Sequence, residues 1–281
     1  MTDVQSAESL KIRLQVSSSN SAPVILELKQ VTKIFRTAQG LLPIIDSLDL
    51  KARSGELIAI VGPSGCGKSS LLNIIAGLDQ PSFGSVSVQG CEQSRLGKVG
   101  YMLQRDLLVP WRTAVENAAS GLEIQGVTRK VAQLRAKELL LRFGLGGFED
   151  AYPHALSGGM RQRVALARSA LASGDLLLLD EPFGALDALT RLSLHRWLLD
   201  TWRSLGKTGV LVTHDPEEAV LLADRISVLS PRPARLRLEL EVDLPHPRDI
   251  SITGTSRFAA LHAQLVEVLL EEQGLMSYGP V

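Results

Sequence analysis

The residues Gly62-Pro63-Ser64-Gly65-Cys66-Gly67-Lys68-Ser69 set glycines through a short loop and follow them with lysine and serine, a pattern that cradles polyphosphate. Glycine lets the backbone turn N–H groups inward, and Cys66 is expected to contribute its backbone N–H rather than its thiol. Lys68 is placed to reach the β- and γ-phosphates. The Ser69 hydroxyl suits Mg2+, a hard cation that takes oxygen ligands. The chemistry this predicts is binding of ATP or GTP. A second pair of groups, Asp180-Glu181, ends the apolar run from Leu176 to Leu179. Asp180 is expected to hold Mg2+ through water, and Glu181 to polarise a water for in-line attack on the γ-phosphate. A third feature, Leu156-Ser157-Gly158-Gly159-Met160, reads as a helix start with a serine cap and free N–H groups for an anion. Arg161, Arg163 and Arg168, which follow it, are either anion contacts or solvated helix charges.

These groups need a scaffold, and the surrounding pattern supplies one. Glu56 to Val61 is a short β-branched strand and Ser70 to Gly77 a buried helix, so strand, glycine loop and helix come in the order a phosphate loop requires. Ser70 opens that helix and belongs with the phosphate cradle. Upstream, Val24 to Leu28 and Ile44 to Leu50 are strands broken by Gly40, Pro43 and Ser54-Gly55, suggesting a β-rich edge. Val86 to Val88 and Lys98 to Leu103 are further strands. From Asp106 to Leu156 the pattern turns helical, with Thr113 capping Ala114 to Leu122 and Thr128 capping a helix that ends at Phe143. Strand and helix then alternate: Leu176 to Leu179, Ala188 to Leu205, Gly209 to Thr213, Glu217 to Ala223, Ile226 to Leu229. Such alternation predicts an α/β fold with a mostly parallel sheet covered on both faces, an antiparallel β subdomain and an inserted helical subdomain. Phe258, Leu261, Leu265, Val268 and Leu269 form one helical stripe that docks the tail.

Composition narrows the function classes. The 281 residues are 45% apolar, enough for a large core without disulfides, and Cys66 and Cys91 suggest no disulfide framework. Lys plus Arg equals Asp plus Glu at 30 each, so no overall field draws nucleic acid. The longest apolar runs are too short to cross a bilayer and the acidic N-terminus lacks a signal-peptide core, so the chain is expected in the cytoplasm, with any membrane role running through partners. Residues 1–22 read as a mobile polar extension, 23–250 as the nucleotide-binding domain with its helical subdomain over about 106–165, and 251–281 as a C-terminal helix and tail.

Taken together, the phosphate loop Gly62 to Ser69, Gln104, the Leu156 to Gln162 stretch, the strand ending Asp180-Glu181, the Ala185-Leu186-Asp187 loop and His214 resemble the ATP-binding cassette ATPases, the nucleotide-binding subunits of membrane transporters. The resemblance covers about Val24 to Pro233. It is closest to the nitrate, sulfonate and taurine importer branch, on Leu107 to Asn117, on Thr213 to Arg225 and on Ser230-Pro231-Arg232-Pro233. Ser169 and Gly174-Asp175 depart from the branch pattern without removing a chemical group.

The resemblance implies that Phe35 stacks on adenine, that Gln104 contacts Mg2+ or the attacking water, and that His214 holds the γ-phosphate and senses its loss. It implies a head-to-tail dimer, a homodimer of this subunit, in which Ser157, Gly158 and Gly159 face the γ-phosphate held by the partner's Lys68. Two ATP molecules are then sandwiched. It also implies transmembrane permease subunits, with Trp111 and Arg112 near their coupling helix, a periplasmic solute-binding protein acting indirectly, and a peripheral place on the cytoplasmic face of the inner membrane. Two other classes share the motifs. Soluble DNA-repair or chromosome ATPases carry a long heptad arm between phosphate loop and signature, which is missing here, and a non-hydrolysing nucleotide sensor would not need Glu181 beside Asp180.

Overall fold

A computed structural model describes residues 22–272 apart from positions 94, 173 and 185. The proposed mobile extension therefore lies almost wholly outside the described residues, as do the tail beyond 272 and Ala185 of the loop before Asp187.

Two sheets share the chain. The first is antiparallel, with β1 (Val24–Thr37) between β2 (Gly40–Arg53) and β4 (Phe83–Val88). The second has the order β5-β6-β7-β3-β8-β9, from β3 (Leu57–Val61), β5 (Val99–Met102), β6 (Leu176–Asp180), β7 (Thr208–Val212), β8 (Arg225–Leu229) and β9 (Leu236–Glu241). Its first five strands are parallel and β9 is antiparallel to β8. The helices are α1 (Lys68–Ala76), α2 (Ala114–Ile124), α3 (Arg129–Arg142), α4 (Gly158–Ala172), α5 (Ala188–Leu205), α6 (Pro216–Leu222) and α7 (Ser256–Glu272). The fold is mixed α/β, as the alternating pattern predicted. Among the described residues no helix is long and apolar enough to cross a membrane.

The parallel strands are apolar throughout because they separate two cores. Leu57, Ala59 and Val61 of β3 face the core shared with the helices α2 to α7, whereas Ile58 and Ile60 face α1 and the antiparallel sheet. Strand β6 divides likewise, Leu177 and Leu179 to one side and Leu176 and Leu178 to the other. Side chains that alternate with period two thus both find oil, which is why these strands read as continuous apolar runs.

Several local expectations need correction. Strands β1 and β2 run through 24–37 and 40–53 with register shifts rather than breaks, Gly40 opening β2 opposite Thr37 and Pro43 lying opposite Ile34. Proline survives there because β2 is an edge strand, whose outward amide needs no ladder partner. Thr113 does cap α2, in a capping box with Glu116. Thr128 precedes α3 as expected but its side chain makes no cap hydrogen bond. Strand β9 went unread, although its leucines alternate with charged residues. Helix α4 continues past 165 to Ala172. The C-terminal stripe buries Phe258, Leu261 and Leu265, with Val268 and Leu269 packed at the margin.

Candidate functional site

Strands β3, β5, β6 and β7 are parallel, so the loops that leave their carboxyl ends meet at one edge, where open α/β sheets take ligands. From β3 comes Gly62 to Gly67, and then α1. This helix starts on Gly67 at φ 126° with no side-chain cap and no acidic residue in its first turn. Its N–H groups and the positive end of its dipole therefore remain available to an anion. A side chain at Gly67 would strike Ile44 at 2.7 Å, and one at Gly62 would meet the Leu229 carbonyl at 2.8 Å, so glycine is required for packing as well as for backbone freedom.

Within the loop, Lys68 is buried and folds back, its ammonium donating to the carbonyls of Gly62 (2.8 Å) and Pro63 (3.1 Å). Those are neutral acceptors that a phosphate oxygen would outcompete as a charged one. The Cys66 amide, expected in the cradle, instead donates to the Pro63 carbonyl at 3.2 Å. Its thiol is buried, and burial pushes its pKa up, so it is an unreactive group packed against the loop. Ser64 and Ser69 are exposed, with Ser70 partly so.

Beside the loop lies the end of β6. Asp180 is buried, and that burial raises its pKa; a hydrogen bond from Ser69 opposes the rise, while the neighbouring Glu181 charge adds to it. A buried carboxylate beside a hydroxyl, its pKa raised even though the Lys68 charge opposes the rise, fits a divalent cation. Among the described residues no group of three His, Cys, Asp or Glu could hold a metal unaided, so phosphate oxygens would have to complete the shell, the usual arrangement for Mg2+.

Glu181 sits at φ 45°, a left-handed backbone rarely adopted by glutamate, with its amide bonded to the Val212 carbonyl at 2.9 Å. Two groups converge on one of its oxygens. Gln104 Nε2, from the segment after β5, donates to Glu181 Oε2 at 3.1 Å, and His214 Nδ1, after β7, lies 3.3 Å from the same atom. Glutamine, glutamate and histidine, far apart in the sequence, thus meet at the strand ends beside the phosphate loop.

The remaining expected residues fall elsewhere. Phe35 projects from β1, 37% exposed, with the Lys33 ammonium 4.8 Å from its ring centre. No contact among the described residues joins it to the phosphate loop. Ser157 caps α4, its Oγ accepting from the Met160 amide at 3.2 Å. Gly158 faces Leu186 and Gly159 faces Thr190, either of which a Cβ would approach to 3.1 Å, so the signature turn packs on the loop that starts α5 and makes no described bond to Lys68. The three arginines of α4 are neither solvated nor free for an anion. Arg161 binds Asp106 (3.0 Å), Arg168 binds the carbonyls of Asp106 (2.6 Å) and Leu107 (2.8 Å), and Arg163 lies over Trp197. Arg161 and Arg168 fasten α4 to the residues just beyond Gln104, and Arg163 ties it to α5 and to the Phe143 carbonyl.

Sequence reasoning passed over three contributors. Tyr101 shares its hydroxyl between Asn73 Oδ1 (3.2 Å) and Asp180, and burial with the Asp180 charge pushes its pKa up. Thr213 donates to Glu218 Oε2 (3.1 Å) and accepts from the Asp215 amide (3.0 Å), shaping the turn that carries His214. Arg232 hydrogen-bonds through Nε to the Gly65 carbonyl, bringing the loop after β8 onto the phosphate loop. The only signal for Arg232 was its place in Ser230-Pro231-Arg232-Pro233, which had been read as a mark of lineage.

Comparison with known proteins agrees with this geometry. Residues 45–184 match the ABC transporter family. The taurine import ATP-binding protein of Burkholderia pseudomallei is 43% identical over 250 residues, spanning 87% of this chain and 96% of the relative. The formylaminopyrimidine import ATP-binding protein of Halalkalibacterium halodurans is 43% identical over 232 residues, 82% of this chain and 91% of that one. Among solved structures, the dimeric post-hydrolysis state of the ATP-binding cassette MJ0796 bound to ADP and Pi superposes with a TM-score of 0.67 at 31% identity, covering 78% of this chain and all of that one. With the phosphate loop, the carboxylate at the end of β6 and relatives this similar along most of the chain, the protein belongs to the ABC transporter family as an ATP-binding, ATP-hydrolysing subunit.

Proposed function

We propose that this subunit drives an importer for a small anionic solute of the nitrate, aliphatic sulfonate or taurine type. The reading of the site rests on one observation: Gln104 and His214 meet on a single oxygen of Glu181, next to Lys68, Ser69 and Asp180. Import, and the solute class, are supported by the taurine importer relative.

In this account Lys68 releases the Gly62 and Pro63 carbonyls and turns to the β- and γ-phosphates. The loop amides from Ser64 to Ser70 other than that of Cys66, with the open N-terminus of α1, surround the phosphates, and Phe35 lies against the adenine. Ser69, Asp180 and Gln104 would hold Mg2+, which would neutralise phosphate charge and orient the triphosphate. Glu181 orients and polarises the attacking water, while His214 fixes the γ-phosphate. Ser157, Gly158 and Gly159 complete the site of a second copy, head to tail. Permease subunits dock near Gln104 and Trp111 at the cytoplasmic face of the inner membrane, with a periplasmic receptor delivering the solute.

Replacing Glu181 with glutamine tests the assignment. Single-turnover hydrolysis should fall by about a hundredfold or more, in line with loss of a general base, while ATP affinity is retained. An unchanged rate would remove Glu181 from the chemistry.

A further inference from the structure

The turn after β8 is clamped at its base and presents one side chain to the phosphate loop. Ser230 closes it, its amide donating to the Arg235 carbonyl (3.0 Å) and its hydroxyl accepting from the Arg235 amide (3.1 Å). Ala234 is fully buried and seated on β2, its amide donating to the Ile44 carbonyl (2.8 Å) and its carbonyl accepting from the Asp46 amide (3.0 Å). Arg235 adds an ion pair, its Nε 2.9 Å from Asp46 Oδ2. Ile44 also packs against Gly67, so the strand that seats this turn supports the phosphate loop as well. At the tip stands Arg232, between Pro231 and Pro233, where proline on both sides leaves the backbone little freedom to lose.

From that tip Arg232 Nε donates to the Gly65 carbonyl, and Nη2 lies 3.4 Å from the place a Cβ on Gly65 would take. The other end of the same peptide unit, the Cys66 N–H, donates to the Pro63 carbonyl at 3.2 Å. Both ends of the Gly65-Cys66 peptide are therefore held. In a trans peptide the carbonyl and the N–H point in opposite directions, so drawing the carbonyl out to Arg232 keeps the N–H turned into the loop. Gly65, at φ 76° and without a side chain, offers little resistance of its own to turning this peptide over. A turned peptide would aim the Gly65 carbonyl at phosphate oxygens, acceptor against acceptor. Without Arg232 the remaining restraint is the bond to Pro63, whose carbonyl is shared with the Lys68 ammonium at 3.1 Å.

We propose that Arg232 is a positioning residue for nucleotide binding. Its guanidinium holds the Gly65 carbonyl outward and thereby keeps the amides on either side, those of Gly65 and Gly67, set for the phosphates. Among the described residues neither of these two amides makes a hydrogen bond. The arginine acts through the loop and not as a phosphate ligand. The inference rests on the nucleotide site described above, and wild-type binding of ADP tests that site by itself.

The test uses the full chain with Arg232→Met, which keeps the length but removes every donor, and with Arg232→Lys, which restores a charged one. Arg232 is exposed, so both variants should fold. ADP with Mg2+ is titrated calorimetrically at low and high salt, KM and kcat are measured for ATP, and hydrogen exchange of the Cys66 amide is followed in the nucleotide-free protein. Arg232→Met should bind ADP about tenfold more weakly and raise KM by a similar factor, the loss expected for one charge-assisted hydrogen bond. Its kcat should stay within about twofold, because Lys68 and Glu181 are untouched. Arg232→Lys should recover part of the loss. The deficit should persist at high salt, where a distant charge would be screened, and the Cys66 amide should exchange faster. Unchanged ADP affinity, a deficit that high salt removes, a fall in kcat at constant KM, or Cys66 exchange equal to that of the wild type would each overturn the proposal.

Discussion

Asp180 shows how a single residue is kept at a cost for chemistry. Burial raises its pKa, so the folded state holds its proton more readily than the unfolded chain does. Its favourable contribution is complete below the unfolded carboxyl pKa and is lost as pH climbs through the raised folded value. At neutral pH the ionised group therefore opposes folding in the nucleotide-free protein. Asp180→Asn should raise the unfolding temperature at pH 7 to 8, by an amount that shrinks toward acid, while abolishing Mg2+-dependent hydrolysis. Calorimetry across pH beside an ATPase assay would check both, and a variant less stable at neutral pH would contradict the account. Glu181 carries a related burden in its left-handed backbone, and Lys68 holds its buried charge on two carbonyls until a better partner arrives.

Among the elements, α2 and α4 do most to connect the site to the helical lobe. Helix α2 is set by the Thr113 and Glu116 capping box, and its Asn117 side chain ties the preceding loop through Val109 and Arg112. Removing the cap with Thr113→Ala should cost about 1 kcal/mol of stability, measured by denaturant unfolding, with a drop well under that showing that the loop contacts alone fix the helix. Much of this level was legible beforehand, because strands buried on both faces and helices with strong caps announce themselves locally. Strand β6 and helix α5 were placed from apolar runs and flanking turns alone. What escaped depended on partners distant in sequence. Strand β9 is a half-exposed edge whose ladder lies with β8. The α4 arginines looked like surface charge until Asp106, Leu107 and Trp197 were brought beneath them. In the site, the phosphate loop and the Asp180-Glu181 pair were legible because each is a contiguous motif. The convergence of Gln104 and His214 on one carboxylate oxygen was not, being a property of strand order. Nor could the sequence show that the Cys66 amide is spent on Pro63.

For the whole molecule, the question is how the site communicates with a permease. Of the two residues expected near the coupling helix, Trp111 is 77% exposed, whereas Arg112 is paired with Glu123 at 3.0 Å. A large exposed indole on the segment that follows Gln104 is suited to an interface. Trp111→Ala should leave ATPase activity of the isolated subunit within about twofold while reducing transport in the assembled complex, because exposed changes scarcely disturb the fold. Equal losses in both assays would place Trp111 in the catalytic unit instead.

Head-to-tail pairing is the claim on which the rest depends, since Ser157 and Gly158 make no described contact with the phosphate loop of their own chain. It can be tested with cysteines at the exposed positions Ser64 and Ser157 in one chain, in a Cys91→Ser background with Glu181→Gln to preserve bound ATP. Oxidation with ATP present should give a covalent dimer on a denaturing gel, with little without ATP and none when either cysteine is alone. A cross-link confined to the monomer, or a dimer yield indifferent to ATP, would contradict the composite site.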